Sequence, residues 1–150
     1  MEKNYFEDYT VGEKFVSPGR TITESDITAF AGLTGDWHEL HTNKQYADKT
    51  IFGERIAHGM LVFALGSALG LRLGKYVLTP RSFIALYGFE SVRFVNPVKI
   101  GDTLHLETEV KEMVEKDDKR GLFTTENVIK NHRGEDCCIY KATALCGRKH

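Results

Sequence analysis

The sequence predicts an α+β domain in which an antiparallel sheet wraps one long, central, apolar helix. Three observations carry that prediction. No charged residue lies between Ile56 and Leu71, and Arg55 and Arg72 bracket the run. From Tyr87 onward the chain alternates apolar and polar residues in segments parted by short turns, the pattern of half-buried strands. With 150 residues, 41% of them hydrophobic, the chain has room for one real core. No repeat, low-complexity tract or linker divides it, so residues 1–150 are read as a single domain.

The apolar run is too short for a membrane. About sixteen helical residues span about 24 Å at 1.5 Å each, against roughly 30 Å of bilayer hydrocarbon. Gly59, Gly66, Ser67 and Gly70 also suit close packing better than lipid. A helix apolar on every face has to be enclosed by protein on every side.

In chain order, residues 1–11 read as an irregular lead-in, anchored by Tyr5, Phe6 and Tyr9, and Lys14 to Ser17 as a short strand stopped by Pro18-Gly19. Thr23 caps a helix with Asp26 three positions on, a variant of the capping box. Ile27, Phe30, Ala31 and Thr34 form its buried stripe, and Gly35 ends it. Residues 36–40 read as a turn, and Asn43 as the cap of a short helix through Gln45 to Asp48. Gly53-Glu54-Arg55 is a loop, and the apolar helix follows from Gly59 to about Leu73. Arg81 to Tyr87 fits a strand or a covering loop. Strands are then expected over Tyr87 to Phe94, Thr103 to Glu109, Leu122 to Lys130 and Cys137 to Leu145, with a solvated hairpin loop at Lys116 to Gly121. An open sheet of this kind leaves edge strands exposed, and pairing two sheets edge to edge in a dimer would cover them.

A net charge of −1 gives no support for nucleic-acid or anionic-membrane binding. Cys137, Cys138 and Cys146 are odd in number and two are adjacent, a poor disulfide framework with no C-x-x-C zinc pair. They read as structural thiols in a reducing compartment. The acidic start MEKNYFEDYTVGEKF is no secretory signal, and cytoplasm is the expected location.

Asp36 and His41 stand five positions apart. In a helix that spacing puts them about 140° apart, and in a strand on opposite faces, so they meet only across a turn. A carboxylate beside an imidazole can hold a water and move its proton near neutral pH. The same spacing equally suits a capping aspartate and a surface histidine. His38-Glu39-Leu40-His41 has its histidines one residue closer than the H-E-x-x-H zinc helix needs, and no third ligand is evident, so no metal is expected. His58-Gly59 opens the apolar helix, where free N–H groups can meet an oxyanion or polarise a carbonyl. Gly66 and Gly70 either allow close packing or line a slot for an apolar ligand, with Ser67 as a polar contact. Trp37 is either a lid or ordinary core.

Taken together, Gly35-Asp36 with His41, Ala47, Ile56-Ala57-His58-Gly59-Met60-Leu61, Val92-Arg93-Phe94 with Asn96-Pro97-Val98, and Gly101-Asp102 resemble the MaoC-like dehydratases, which include the (R)-specific enoyl-CoA hydratases. The resemblance covers roughly residues 10 to 145. It implies the hot-dog fold, usually dimeric, and reversible addition of water to a trans-2-enoyl coenzyme A thioester. No Gly-rich nucleotide loop follows a strand in the sequence, so no redox cofactor is expected. The resemblance maps the water-holding pair onto Asp36 and His41, the amide that meets the thioester carbonyl onto Gly59, and a supporting helix serine onto Ser67. Gly70, His58 and Trp37 are expected around the substrate. The usual motif G-D-x-N-P-[LIV]-H carries His38-Glu39 here in place of Asn-Pro, so His38 is expected to brace the turn or to alter substrate preference. Two other readings stay open: a thioesterase of the same fold, in which the water attacks the carbonyl, and a non-catalytic acyl-thioester-binding subunit.

Overall fold

In the computed structural model, which describes residues 3–71 and 79–149, the punctuation of the sequence sets the elements. Strand β1 (Lys14–Val16) ends before Pro18, and β2 (Arg20–Thr21) follows. Helix α1 (Glu24–Thr34) begins at a complete capping box: the Asp26 N–H donates to Thr23 Oγ1, and the Thr23 N–H to the Asp26 carboxylate. Gly35 ends the helix at φ 79°, a left-handed conformation that glycine adopts without a Cβ clash. A single turn, α2 (Glu39–Thr42), lies where the sequence suggested only a turn, and Asn43 caps α3 (Lys44–Ala47). Helix α4 (Gly59–Ala68) starts at the predicted residue and tightens into a 3₁₀ turn over Leu69–Leu71. Its expected continuation to Leu73 lies outside the described residues.

The ambiguous stretch before Tyr87 resolves as strand. β3 runs over Phe83–Phe94, β4 over Thr103–Glu115, β5 over Arg120–Lys130 and β6 over Asp136–Gly147. The sheet is antiparallel in the order β1-β4-β5-β6-β3, with β2 also pairing β4. On β4 the predicted alternation holds, with Leu104, Leu106, Thr108 and Val110 buried. Leu61 and Val62 of α4 and Leu69 of the 3₁₀ turn pack into a core with Leu104, Leu106, Ile129 and Tyr140.

The described residues do not enclose the helix on every side. Met60 and Leu71 are 59% and 55% exposed, and Ala64 and Ala68 complete the same open stripe. The sheet covers one face of the helix only, because β3 ends the sheet beside it. β3 itself is a long apolar edge, with Phe83, Ile84, Leu86, Tyr87 and Phe94 exposed.

A bulge in β3 matters for the site. Glu90 pairs Lys141 but Arg93 pairs Ile139, so one extra residue sits between them, with Ser91 at φ 54°. An extra residue swaps the faces of every later residue in the strand. Phe89 packs on Phe63 of α4, and after the bulge Val92 and Phe94 face the helix instead of Ser91 and Arg93.

Candidate active site

The site assembles where α1 ends and α4 begins. After Gly35 the chain turns on local hydrogen bonds: the Asp36 N–H donates to Thr34 Oγ1 at 3.2 Å, and Asp36 Oδ1 accepts from the His38 N–H at 3.2 Å. His38 then caps α2, its Nδ1 accepting from the Leu40 N–H at 3.1 Å. This is the brace expected of it in place of asparagine. Glu39 adds a bond of 2.9 Å from Asn43 Nδ2, tying α2 to the next cap.

The one turn of α2 swings His41 back towards Asp36. His41 Nδ1 lies 2.8 Å from the Ile56 carbonyl oxygen. A carbonyl only accepts, so Nδ1 carries the proton, and the neutral ring presents an unprotonated Nε2. Ile56 is held by a bridge to Lys99, and the Ala57 N–H donates to the Val98 carbonyl at 2.7 Å. The segment that orients His41 is thus anchored beyond the sheet edge. Asp36, His41 and His58 each bring one donor atom within 4.8 Å of the others. That spacing also suits a metal ion, although His58 has one nitrogen left for it, since Nε2 lies 2.9 Å from the Asp36 carbonyl oxygen.

Burial, the largest cause, lowers the pKa of His41, and the neighbouring His58 and His38 lower it further, against the Ile56 carbonyl and Asp36, which raise it. Cys137, on the cleft wall, has its thiol pushed up to about 11 by burial, which keeps it a thiol rather than a nucleophilic thiolate. All three cysteines are buried and free, in keeping with the structural role expected of them.

A cleft of about 350 Å³ opens beside His41 and Gly59, walled by Phe52, Val62, Phe94, Asn96 and Pro97. Gly59 is the first residue of α4, so its N–H has no partner from a preceding helical turn. Phe94 lies so close that a Cβ on Gly59 would stand 3.2 Å from its ring. Phe52, Phe94 and Asn96 carry no assigned role in the sequence reading. For Phe94 and Asn96 the signal was the Val92 to Val98 motif, whose geometry depends on a bulge that no periodicity shows; Phe52 lies outside it.

The other predicted residues fall elsewhere. Trp37 is 54% exposed, its ring near Gly32 of α1, so it is not core. His58 is 2% exposed and does not line the cleft. Ser67 and Gly70 line a second cavity of about 140 Å³ with Leu71, Phe83, Leu86 and Phe89. Ser67 Oγ donates to the Ala64 carbonyl at 3.1 Å, within its own helix. Gly66 lines neither cavity: a Cβ there would overlap the side chain of Ile129, so this glycine serves close packing and not the slot.

A curved antiparallel sheet on one apolar helix, with a carboxylate and an imidazole brought together at the helix start, is a hot-dog scaffold. The chain belongs to the MaoC-like domain family, which residues 7–132 match. It is 45% identical over 101 residues to an (R)-specific enoyl-CoA hydratase of Rhodospirillum rubrum, a match covering 67% of this chain and 65% of that protein. It is 43% identical over 104 residues to the MaoC protein of Klebsiella aerogenes, covering 69% of this chain and 30% of that one. The matches thus span less than two thirds of the length of either relative. A solved structure described as a monoamine oxidase regulatory protein from Archaeoglobus fulgius is 39% identical with a TM-score of 0.90, covering 100% of this chain and 98% of that one. No helix among the described residues is long and apolar enough to cross a membrane.

Proposed function

We infer that this protein adds water reversibly to a trans-2-enoyl coenzyme A thioester, giving the (R)-3-hydroxyacyl thioester. The observation that carries this reading is the meeting of Asp36 and His41 with the start of α4 at Gly59 beside one cleft. The thioester carbonyl accepts from the Gly59 N–H, which draws electron density from the conjugated β-carbon and stabilises the enolate that forms. The Asp36–His41 pair holds the water and takes its proton as the oxygen bonds to the β-carbon. A proton returned to the α-carbon collapses the enolate and completes the addition. Oxidation state is unchanged, so the reaction asks for no redox cofactor.

In this reading the acyl chain enters the apolar cavity lined by Ser67 and Gly70, and Trp37, exposed and next to Asp36 in the chain, covers the bound thioester. The open stripe of α4 and the β3 edge suit a second copy of the chain, which would complete the enclosure of the helix. The three free cysteines fit a reducing compartment such as the cytoplasm.

The test is the ultraviolet absorbance of a short trans-2-enoyl-CoA incubated with the purified protein. Loss of the conjugated-thioester band without release of thiol is the expected result. Thiol release from saturated acyl-CoA would make the protein a thioesterase instead. Binding of enoyl thioesters across a panel of chain lengths with no turnover would make it a carrier subunit.

A further inference from the structure

Among the described residues, His58 is the one buried polar side chain at the site that the proposed reaction does not use. It sits at the cap position of α4 without capping it: its side chain makes no bond to the helix start. It reaches instead to the opposite side of the site, where Nε2 lies 2.9 Å from the Asp36 carbonyl oxygen. Its ring also lies on the ring of His41, centroids 4.0 Å apart and planes 31° apart, and Phe30 of α1 closes on it at 4.9 Å. Because the partner of Nε2 is a carbonyl, Nε2 carries the proton and donates it. Nδ1 is left buried, with no hydrogen-bond partner among the described residues.

We propose that His58 is a positioning residue that locks the Asp36 turn and the His41 ring to the start of α4, and so sets the distance from the acid/base pair to the Gly59 amide. This rests on the hydratase reading above. The chain path gives the reason. Asp36 follows α1, His41 ends the turn of α2, and Gly59 opens α4, three segments with no regular ladder between them. His58 adjoins Gly59 covalently, bonds to the backbone of Asp36 and stacks on His41, so one rigid ring joins all three. Misplacing reacting groups by about 1 Å costs on the order of 100-fold in rate, and a site of this kind needs such a clamp. The binding role expected of His58 from the sequence is replaced by this one, since the side chain is buried away from the cleft.

The test uses the full-length protein and two variants. His58→Leu removes the donor and the ring alike. His58→Gln places an amide N–H where Nε2–H was, keeping the donor to Asp36 while removing the imidazole. His58→Leu should lower kcat by roughly 10- to 100-fold with a much smaller change in KM, and His58→Gln should recover most of that loss. In His58→Gln the acid limb of kcat/KM should move to higher pH, because a neighbour that lowers the His41 pKa has gone. The other titratable groups around His41, Asp36 and His38, and the Cys137 thiol of the cleft are untouched. Equal kcat in wild type and His58→Leu would overturn the proposal, as would equal loss in both variants with the fold intact. Should the variants fail to fold, nitrogen-15 spectra of the wild-type histidines decide: the Nε2–H form of His58 supports the clamp, and the Nδ1–H form refutes it. Those spectra need no turnover. An absence of hydratase activity with His58 in its Nε2–H form would therefore sink the hydratase reading alone.

Discussion

The two ends of α4 are built by different means. At the start of the helix, side chains are held by backbone groups: His41 by the Ile56 carbonyl, His58 by the Asp36 carbonyl, His38 by the Leu40 amide. At the far end the walls are made by the size of side chains, Phe83, Leu86 and Phe89 facing Gly70, and the Ser67 hydroxyl is turned back onto its own helix. Hydrogen bonds fix direction within tenths of an ångström, whereas apolar packing fixes volume and little else. The proposed reaction accordingly puts chemistry at the first end and size selection at the second. Substitutions at the start of α4 should cost rate, and those at its far end should change which acyl groups fit.

The largest break in that contrast is Asp36→Asn. Asparagine keeps an oxygen to accept from the His38 N–H, so the turn survives while the carboxylate charge is lost. Turnover of enoyl-CoA should fall by about 10²- to 10⁴-fold with an unchanged Tm. Turnover within tenfold of wild type would move the chemistry away from this end of the helix.

Gly66 and Gly70, one helical turn apart, sharpen the contrast at the other end. Gly66→Ala gains about 1 kcal/mol of helix propensity, but its methyl would overlap buried Ile129 on the sheet, an overpacking cost of about 1–3 kcal/mol. A lower Tm with unchanged chain-length preference is expected. Gly70→Leu adds a bulky side chain at a residue that lines the second cavity, and should lower kcat/KM for an octenoyl relative to a crotonyl thioester by on the order of tenfold. An unchanged preference would show that the acyl chain runs elsewhere.

The legible and the hidden parts of the sequence divide along the same line. The capping box at Thr23, the left-handed Gly35, the Asn43 cap and the alternation on β4 depend on neighbours a few positions away, and each is where the pattern placed it. The wall of the cleft was invisible because it depends on the bulge at Ser91, which puts Phe94 on the helix side in place of Arg93. The helix looked as if it were enclosed because composition reports only that a face is apolar. Whether its own chain or a second copy covers that face is set by where the sheet ends, and here it ends at β3. The burial of His58 likewise depends on Phe30 and His41, which lie 28 and 17 positions away in the chain.

The smallest effect expected is in the pH profile, and it tests whether burial or charge governs the polar end. In the proposed hydration the pair needs His41 unprotonated at Nε2 to take the proton from water, so activity should be lost as pH falls through its pKa. An ordinary histidine titrates near 6.5, and burial, the largest cause, lowers that of His41. The acid limb of kcat/KM, which reports the free enzyme, should therefore lie below 6.5, and activity should persist into mildly acidic solution where an exposed histidine would already be charged. Raising the salt concentration should move this limb little, because desolvation is not screened by ions, whereas a limb set by neighbouring charges would shift with ionic strength. A limb at or above the ordinary value would mean that the Asp36 carboxylate outweighs the burial of the ring, and that the pair works as an ion pair rather than as a neutral base held dry.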